Sequence, residues 1–306
     1  METENQDYNF DYDGENFTTM LDGKELVGCQ WIPKNRIVRY VLIFFHGLGA
    51  FVTINRPFWS KIIADGGAIF GTDHFGHGRS PGDRGNNTRE MLHAEITLLL
   101  KRARVIFPDI PIFVYGHSMG GVAILSYVLT HPIEENWIEG IIVEAPWIAT
   151  HEKVANSLPH KILSKLGRYI FPSLVIDTGN DFDTSTYPKQ FIQKFLDSNL
   201  PHDYITPRLF ASASEMQEIC RQQYKKWPLR LPLLFMQGGL DNSVGKSVNY
   251  EWVDEIRDFM GGRVKIVYHE NAEHAMLRKD EGPIIIDEVI DYINYIITRS
   301  PDTIVF

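Results

Sequence analysis

Short apolar runs that alternate with helix-length stretches constrain the fold of this 306-residue chain more than any other feature of its sequence. The runs are unbroken, which is typical of strands buried on both faces of a parallel sheet that lies between layers of helices. The pattern therefore predicts an α/β fold with a mostly parallel central sheet. The predicted strands are a pair near 17–32, then 41–47, 68–78, 112–118, 140–146, 231–239 and 264–270, and the predicted helices are 57–65, 88–105, the stretch directly after 118, and 284–297.

One long stretch without this alternation, residues 147–210, interrupts the pattern and contains no convincing strand. An insert of this length inside a regular α/β pattern is more often a lid or cap than a disordered loop. We therefore expect residues 1–146 and 211–306 to form the core and residues 147–210 to form a helical cap.

Within the expected cap, the stretch 160–174 has the spacing of an amphipathic helix, with Lys and Arg residues opposite an apolar face. Ile162, Leu166 and Tyr169 fall on the apolar face and are the candidates for contact with a substrate. Packing of this face over the core is favoured, and docking of the helix on an anionic membrane surface stays open. In either case an apolar wall suits an acyl chain better than a charged peptide.

Composition excludes some classes of partner. The formal net charge of -9 argues against nucleic acid, because phosphate binding needs clustered Lys and Arg. No run of apolar residues is long enough to span a membrane, and the first residues are polar and acidic, unlike a secretory signal. The two cysteines, Cys29 and Cys220, lie far apart in the chain. We therefore expect free thiols and a cytoplasmic location, with peripheral membrane contact left open.

The sequence Gly116-His117-Ser118-Met119-Gly120 fits the pattern G-x-S-x-G, in which a serine sits on a tight turn between a strand and a helix. A side chain at either glycine would collide with the neighbouring element, and the serine must accept strained backbone angles. Five-residue matches also arise by chance. The predicted strand before Ser118 and helix after it favour a nucleophile over a chance bend.

A serine hydroxyl needs a base to take its proton, and in this architecture the acid and then the histidine follow the serine, each after a later strand. Asp241 and His274 follow the last two predicted strands in that order. Glu144 is an alternative acid one strand earlier, and His269 is an alternative base. We favour His274 over His269 because His269 is still at the end of its strand, whereas His274 lies in the loop that must reach Ser118.

Five features together make the chain resemble the α/β-hydrolase superfamily, and within it the monoacylglycerol lipases and related lysophospholipase-like serine hydrolases. They are HGLG at 46–49, DHFGHGRS at 73–80, GHSMGG at 116–121, QGGLD at 237–241 and His274. The resemblance extends from about residue 20 to residue 297 and includes an insert of suitable length.

The resemblance implies that Ser118 is the nucleophile, Asp241 the acid and His274 the base. It also implies an oxyanion hole made by the backbone N–H groups of Leu48 and Met119, and no metal or organic cofactor. The implied reaction is hydrolysis of a lipid carboxylic ester through an acyl-enzyme, with monoacylglycerol favoured over lysophospholipids or simple esters. An acyltransferase and a catalytically silent binding protein of the same fold stay open, because fold alone does not prove activity.

The remaining histidines near these motifs have structural and functional interpretations. Asp73, His74 and His77 suggest a metal cluster, but their glycine-rich loop and the lack of further ligands favour a structural role. We expect His46 to hydrogen-bond its own loop, so that the Leu48 N–H faces the reacting carbonyl. His117, beside the nucleophile, is expected to pack or hydrogen-bond locally.

Overall fold

A central sheet of eight strands organises the computed structural model of this chain. The structure describes residues 10–131, 137–151, 167–177, 189–278 and 281–306. The strands of the central sheet are β1 (Glu15–Leu21), β2 (Lys24–Trp31), β3 (Tyr40–Phe45), β4 (Gly67–Thr72), β5 (Ile112–His117), β6 (Gly140–Glu144), β9 (Leu233–Gly238) and β10 (Val264–His269). A separate pair joins β7 (Ile176–Asp177) to β8 (Tyr204–Ile205).

The sheet order is β1-β2-β4-β3-β5-β6-β9-β10. The pairs β1/β2 and β2/β4 are antiparallel, and all pairs from β4 to β10 are parallel. Every residue of β3, β4, β5, β6 and β9 is buried, as unbroken apolar runs predict. The prediction of a mostly parallel sheet between helices is therefore confirmed.

Helices cover both faces of the sheet. They are α1 (Arg56–Ala64), α2 (Arg89–Ile106), α3 (Met119–Thr130), α4 (Lys189–Asp197), α5 (Pro207–Gln223), α6 (Lys246–Met260) and α7 (Gly282–Ile297). On one face the core is built from buried residues of α2, α3, α5 and α6, and on the other from those of α1 and α7. Among the described residues no helix is long and apolar enough to cross a membrane.

Local signals explain where several helices begin and end. The side chains of Thr88 and Thr206 each accept a hydrogen bond at 3.2 Å from a backbone N–H in the first turn of α2 and α5, which satisfies a donor that the helix leaves free. α6 ends at Gly261, whose φ of 61° lies in the left-handed region that glycine enters at little cost. α5 and α6 are absent from the sequence-based prediction.

Both ends of the 147–210 stretch pack against the core. Ile148 is fully buried, and α5, which begins at Pro207, buries Leu209, Ala213 and Met216 in the same cluster as α3. The division of the chain at 147 and 210 stays a proposal. Residues 152–166, with the first seven residues of the predicted amphipathic helix at 160–174, lie outside the described part of the chain.

An N-terminal arm lies over the loop that follows β3. The ring centroid of Phe10 is 5.6 Å from that of Phe51 and 6.1 Å from that of Phe195 on α4. The Thr53 hydroxyl donates to the carbonyl oxygen of Phe10, and the hydroxyl of buried Tyr12 donates to the Asp73 carboxylate. The residues before β1 are thereby part of the packing around the carboxyl ends of the strands.

Candidate active site

Ser118 sits on a strained turn between the end of β5 and the start of α3. Its φ of 54° and ψ of -115° lie outside the regions that residues other than glycine normally occupy, and such angles cost on the order of 1–3 kcal/mol. A Cβ at Gly116 would lie 2.7 Å from the carbonyl oxygen of Gly120, and one at Gly120 would lie 2.4 Å from that of Phe45. The turn therefore needs glycine at both flanking positions.

Asp241 and His274 form a hydrogen-bonded pair in the loops after β9 and β10. His274 Nδ1 lies 2.9 Å from Asp241 Oδ2, and Asp241 is completely buried. Gln237 Nε2 donates to the same oxygen at 2.8 Å, and the Ser243 N–H donates to Oδ1 at 2.8 Å. A carboxylate only accepts, so His274 carries its proton on Nδ1, and Nε2 is left as the basic nitrogen.

The electrostatics of the pair keep the acid ionised. Burial alone raises the pKa of Asp241, but the charge and hydrogen bond of His274, together with the other donors, outweigh burial and lower the pKa to about 2. An ionised Asp241 can hold the His274 ring in one tautomer and stabilise its protonated form.

His117 links the serine turn to the loop that carries His274. His117 Nε2 lies 3.1 Å from the carbonyl oxygen of His274, and the two ring centroids are 4.8 Å apart. The contact joins distant parts of the chain, which the expectation of a local role for His117 did not include. Ser118 Oγ has no hydrogen-bond partner among the described residues, and such bonds are often long before substrate binds.

The loop at 46–49, called the oxyanion loop after the role that the sequence predicts for it, lies against Ser118. A Cβ at Gly47 would lie 3.1 Å from the Cβ of Ser118. Within the described residues the backbone N–H groups of Leu48 and Met119 donate to no carbonyl oxygen. Met119 is the first residue of α3, where helical N–H groups are free and the helix dipole favours negative charge. Neither N–H group is thus engaged by one of these carbonyl oxygens, which is compatible with the role that the sequence predicts for both.

His46 hydrogen-bonds its own loop, as predicted. Its Nδ1 lies 2.8 Å from the carbonyl oxygen of Gly47, and its Nε2 accepts the His74 N–H at 3.1 Å. Because Nε2 accepts, Nδ1 carries the proton and donates to Gly47. Burial lowers the pKa of His46 well below its usual value, so the ring is neutral.

Hydrogen bonds connect the segment that follows α4, residues 202–206, to the oxyanion loop and to the loop at Gly85. The His202 N–H donates to the carbonyl oxygen of Gly49 at 3.1 Å, and a Cβ at Gly49 would lie 1.9 Å from the carbonyl oxygen of His202. Further along, the Thr206 N–H and hydroxyl both donate to the carbonyl oxygen of Gly85, at 3.1 and 2.9 Å. This segment therefore forms one side of the site.

The alternative acid and base have other partners. His269 Nε2 lies 2.9 Å from the Glu288 carboxylate on α7. Glu144 is buried, accepts a hydrogen bond from the Tyr115 hydroxyl, and accepts the Leu277 N–H at 3.3 Å. Leu277 follows His274 by three residues, so Glu144 supports the loop of the favoured base.

Asp73, His74 and His77 are buried within their loop and hydrogen-bonded to protein groups. Asp73 accepts the N–H groups of Val52 and Arg79 at 2.7 and 2.8 Å, and burial raises its pKa to about 6. In the part of the chain that the structure describes, no group of three or more His, Cys, Asp or Glu side chains could hold a metal ion. The structural interpretation of these residues fits this arrangement.

The candidate substrate residues of the cap are only partly described. Ile162 and Leu166 lie outside the described residues. Tyr169 lies on a single helical turn, is 71% exposed, and has the Arg168 guanidinium 4.6 Å from its ring centroid. It is followed by exposed apolar residues: Ile170, Phe171, Leu174 and Val175.

Three contacts of the site have no signal in the sequence. Gln237 lies inside the QGGLD motif, but nothing in the motif shows that its amide donates to Asp241. The contacts of Glu144 with Leu277 and of Glu95 with His74 join residues far apart in the chain. Such contacts can be predicted only once the fold is known.

A comparison with known protein families identifies the family to which this chain belongs. The model of the family described as serine aminopeptidase, S33 (Hydrolase_4) matches residues 36–281. This is well over half of the chain, so the chain belongs to that family. The resemblance to the α/β-hydrolase superfamily is confirmed.

The relatives narrow the likeness to monoacylglycerol lipase-like hydrolases. Phospholipase YtpA of Bacillus subtilis (strain 168) is 28% identical over 162 residues, which are 53% of this chain and 60% of YtpA. Monoglyceride lipase of Saccharomyces cerevisiae is 28% identical over 191 residues, which are 60% of this chain and 59% of the yeast protein. The chain thus spans about three fifths of the length of these curated relatives.

A solved structure agrees in fold. A soluble variant of monoglyceride lipase from Saccharomyces cerevisiae, in complex with a substrate analogue, superposes with a TM-score of 0.77. The two chains are 20% identical, and the superposition covers 92% of this chain and 95% of the other. The likeness at this identity establishes the α/β-hydrolase fold.

Proposed function

We propose that this chain is a serine hydrolase that cleaves carboxylic esters of lipids, with a monoacylglycerol, split into fatty acid and glycerol, as the favoured substrate. The observation that carries the proposal is the hydrogen-bonded pair of Asp241 and His274, whose loop is joined by His117 to the strained turn that bears Ser118. The names of the relatives support a lipid ester as the substrate.

In the proposed mechanism Ser118 Oγ attacks the ester carbonyl carbon while its proton passes to His274 Nε2. Asp241 holds the Nδ1–H and stabilises the imidazolium. The N–H groups of Leu48 and Met119 stabilise the tetrahedral oxyanion, each contributing ~10²–10³ in rate. The C–O bond to the alcohol then breaks, and the alcohol leaves with the proton from His274. Water, activated by the same base, releases the fatty acid from Ser118.

Four alternatives share parts of this proposal. A lysophospholipase or general carboxylesterase differs in the alcohol that leaves, and the name of YtpA, a phospholipase, supports a phospholipid as substrate. An acyltransferase differs in the acceptor of the acyl group. A catalytically silent binding protein is disfavoured because the chain keeps all three residues of the proposed triad.

The first experiment measures the intact mass of the protein after incubation with a fluorophosphonate, which reacts with activated serines. We expect one adduct on the wild type and on Ser60→Ala, which replaces an exposed serine of α1. We expect none on Ser118→Ala. An unlabelled, folded wild type would favour the binding protein instead.

A second experiment identifies the substrate class. Release of fatty acid is compared for a monoacylglycerol, a lysophospholipid and a short-chain ester, with and without an added alcohol as acyl acceptor. We expect the highest kcat/KM for the monoacylglycerol. Preferential formation of a new ester in the presence of alcohol would identify an acyltransferase.

We also propose that the exposed turn Tyr169–Val175 contacts lipid surfaces. Five of its side chains are apolar and 43–71% exposed, and Arg168 adjoins them. The experiment is cosedimentation with anionic and zwitterionic phospholipid vesicles. We expect Phe171→Ser to weaken binding, and Val105→Ser, at an 81% exposed apolar residue of α2, to leave binding unchanged. Equal binding of both variants would contradict the proposal.

For the compartment, we propose the cytoplasm. Cys29 and Cys220 are both buried and free, which suits a reducing environment. Fluorescence of the tagged protein in cells, with fractionation of membranes from soluble protein, tests both the compartment and the peripheral contact.

A further inference from the structure

A chain of buried hydrogen bonds runs from α2 to the oxyanion loop. Glu95 on α2 is 2% exposed, and its Oε1 lies 2.8 Å from His74 Nδ1 and 2.5 Å from the Thr72 hydroxyl, which donates to it. His74 Nε2 in turn lies 2.9 Å from the carbonyl oxygen of His46. The His74 N–H also donates to His46 Nε2 at 3.1 Å. His74 thus makes two hydrogen bonds to His46, one from its ring and one from its backbone N–H.

The protonation of His74 follows from its partners. One ring nitrogen faces a carboxylate and the other a carbonyl oxygen, and neither oxygen can donate, so both nitrogens carry protons. Burial alone lowers the pKa of His74, but Glu95 outweighs burial and the net pKa is raised. The other titratable groups that face it are Asp73 and the rings of His46 and His77, with centroids at 3.7 and 5.8 Å. The contacts and the raised pKa both favour a buried imidazolium at His74, paired with Glu95.

The last hydrogen bond of this series, from His46, ends on the peptide group between Gly47 and Leu48, which bears an expected oxyanion donor. His46 Nδ1 donates to the carbonyl oxygen of Gly47 at 2.8 Å. This carbonyl and the Leu48 N–H belong to one peptide group, which is planar and trans, so they point in opposite directions. A bond that holds the carbonyl on one side therefore fixes the direction of the N–H on the other.

We propose that Glu95 is a positioning residue of the oxyanion hole, which fixes the Leu48 N–H through His74 and His46. The inference rests on the proposed function, because an oxyanion has to form beside Ser118. Glu95 touches no substrate. Its carboxylate keeps a proton on both nitrogens of His74, so that the ring can bind the His46 carbonyl and hold the loop before substrate arrives. Such preorganisation stabilises charge that develops in the transition state.

The kinetic experiment compares Glu95→Gln and Glu95→Ala with Glu90→Gln, which changes an exposed glutamate of the same helix. The ester kcat is expressed per serine that reacts with fluorophosphonate, so unfolded protein does not contribute. We expect Glu95→Gln to lower kcat about tenfold with KM within about twofold, because the lost stabilisation belongs to the transition state. Glu95→Ala lowers kcat further, and Glu90→Gln leaves it within about twofold.

The spectroscopic experiment does not depend on activity, and its main readout comes from the wild type. In wild-type protein labelled with ¹⁵N-histidine, at pH 8, a free histidine is neutral because its pKa is about 6.5. We expect one ring, assigned to His74, to carry protons on both nitrogens, and we expect Glu95→Gln to lose this signature. The signature also decides the matter if the Glu95 variants fail to fold.

The outcomes separate the inference from the proposed function. A neutral His74 in the wild type, or an unchanged kcat in folded Glu95→Gln, overturns the role of Glu95 alone. A wild type that fluorophosphonate does not label overturns the serine hydrolase, whatever the histidine spectrum shows. An imidazolium signature together with the tenfold loss in kcat supports the inference.

Discussion

The His117 ring donates to the backbone carbonyl oxygen of His274 across 3.1 Å, although 157 positions separate the two residues in the chain. The residue beside the proposed nucleophile thereby holds the main chain of the proposed base. His117→Ala removes this contact without touching the triad. We expect kcat to fall about tenfold because catalysis depends on the distance from Ser118 to His274.

The measurement that checks His117 is kcat per labelled serine, together with the rate of fluorophosphonate labelling. Both are expected to fall, whereas KM changes little. A variant with wild-type values of both would show that the His274 loop is positioned without His117.

The identity of the base can be tested with two histidines of one segment. His274→Gln is expected to lower kcat by ~10⁴–10⁶, as loss of a triad member does. His269→Gln removes a partner of Glu288 and is expected to leave kcat within about twofold. Steady-state hydrolysis of a short-chain ester checks both, and the reverse ranking would assign the base to His269.

The identity of the acid is tested in the same way. Asp241→Asn keeps the shape but lets the side chain donate, which favours the wrong tautomer of His274 and is expected to cost about 10⁴ in kcat. Glu144→Gln loses charge beneath the Leu277 loop and is expected to cost less than about tenfold. If Glu144→Gln proved the more damaging of the two, the acid would lie at the end of β6.

Buried neutral histidines predict a loss of stability in acid. Burial, aided by the charge of Arg84, lowers the pKa of His202 to about 4, and burial lowers those of His46 and His77 well below their usual value. Below pH 6.5 these histidines bind protons in the unfolded chain but not in the folded chain. The free energy of unfolding therefore falls as the pH drops from about 6.5 to about 4. His202 alone accounts for about 3 kcal/mol of this change.

Urea unfolding at pH 8, 6 and 5 measures that dependence. His202→Asn is expected to flatten the fall in the free energy of unfolding between pH 6.5 and 4. Comparison with the same variant at pH 8, where the ring is neutral in both states, removes the effect of the substitution itself. An identical pH dependence in variant and wild type would show that His202 can be protonated in the fold.

Two glycines with nearly equal φ angles test the contact between the oxyanion loop and the His202 segment. Gly49 and Gly23 have φ of 70° and 74°, so alanine strains both backbones by ~1–2 kcal/mol. A Cβ at Gly23 meets nothing within 4 Å, whereas one at Gly49 would lie 1.9 Å from the His202 carbonyl oxygen. We expect Gly49→Ala to destabilise the protein further and to lower kcat.

Thermal unfolding and ester hydrolysis of Gly49→Ala and Gly23→Ala make the comparison. Gly23→Ala is expected to keep the wild-type kcat because its Cβ, in the turn between β1 and β2, meets nothing within 4 Å. Equal effects of the two substitutions on stability and kcat would mean that the oxyanion loop can move away from His202 without loss of function.

The parts of the site that follow from neighbouring residues can be predicted from the sequence. The turn around Ser118 is one, because its strand, glycines and helix are adjacent in the chain. The fold class is another, since buried parallel strands leave unbroken apolar runs. Asp241 and His274 are predicted from their order after later strands, and the structure brings them within 2.9 Å.

The rest depends on contacts between distant residues or on weaker patterns. Nothing near Glu95 in the sequence indicates His74, because only the packing of α2 on β4 joins them. α6 does carry a usable signal, since Trp252, Val253 and Ile256 are buried at helical spacing, but charged residues between them interrupt the apolar stretch. The expected cap helix at 160–174 stays a prediction for the residues outside the described part.

The bond between His202 and Gly49 has a consequence for anyone who redesigns this protein. Exchange of the expected insert for that of a related hydrolase is one way to seek a different substrate specificity. Here the returning end of the expected insert also bonds to residues 46–49 through its backbone, so we expect a graft that replaces the segment around His202 to change turnover together with selectivity. A chimaera that keeps the native chain from His202 through Thr206 separates the two properties, and the junction belongs upstream of that segment.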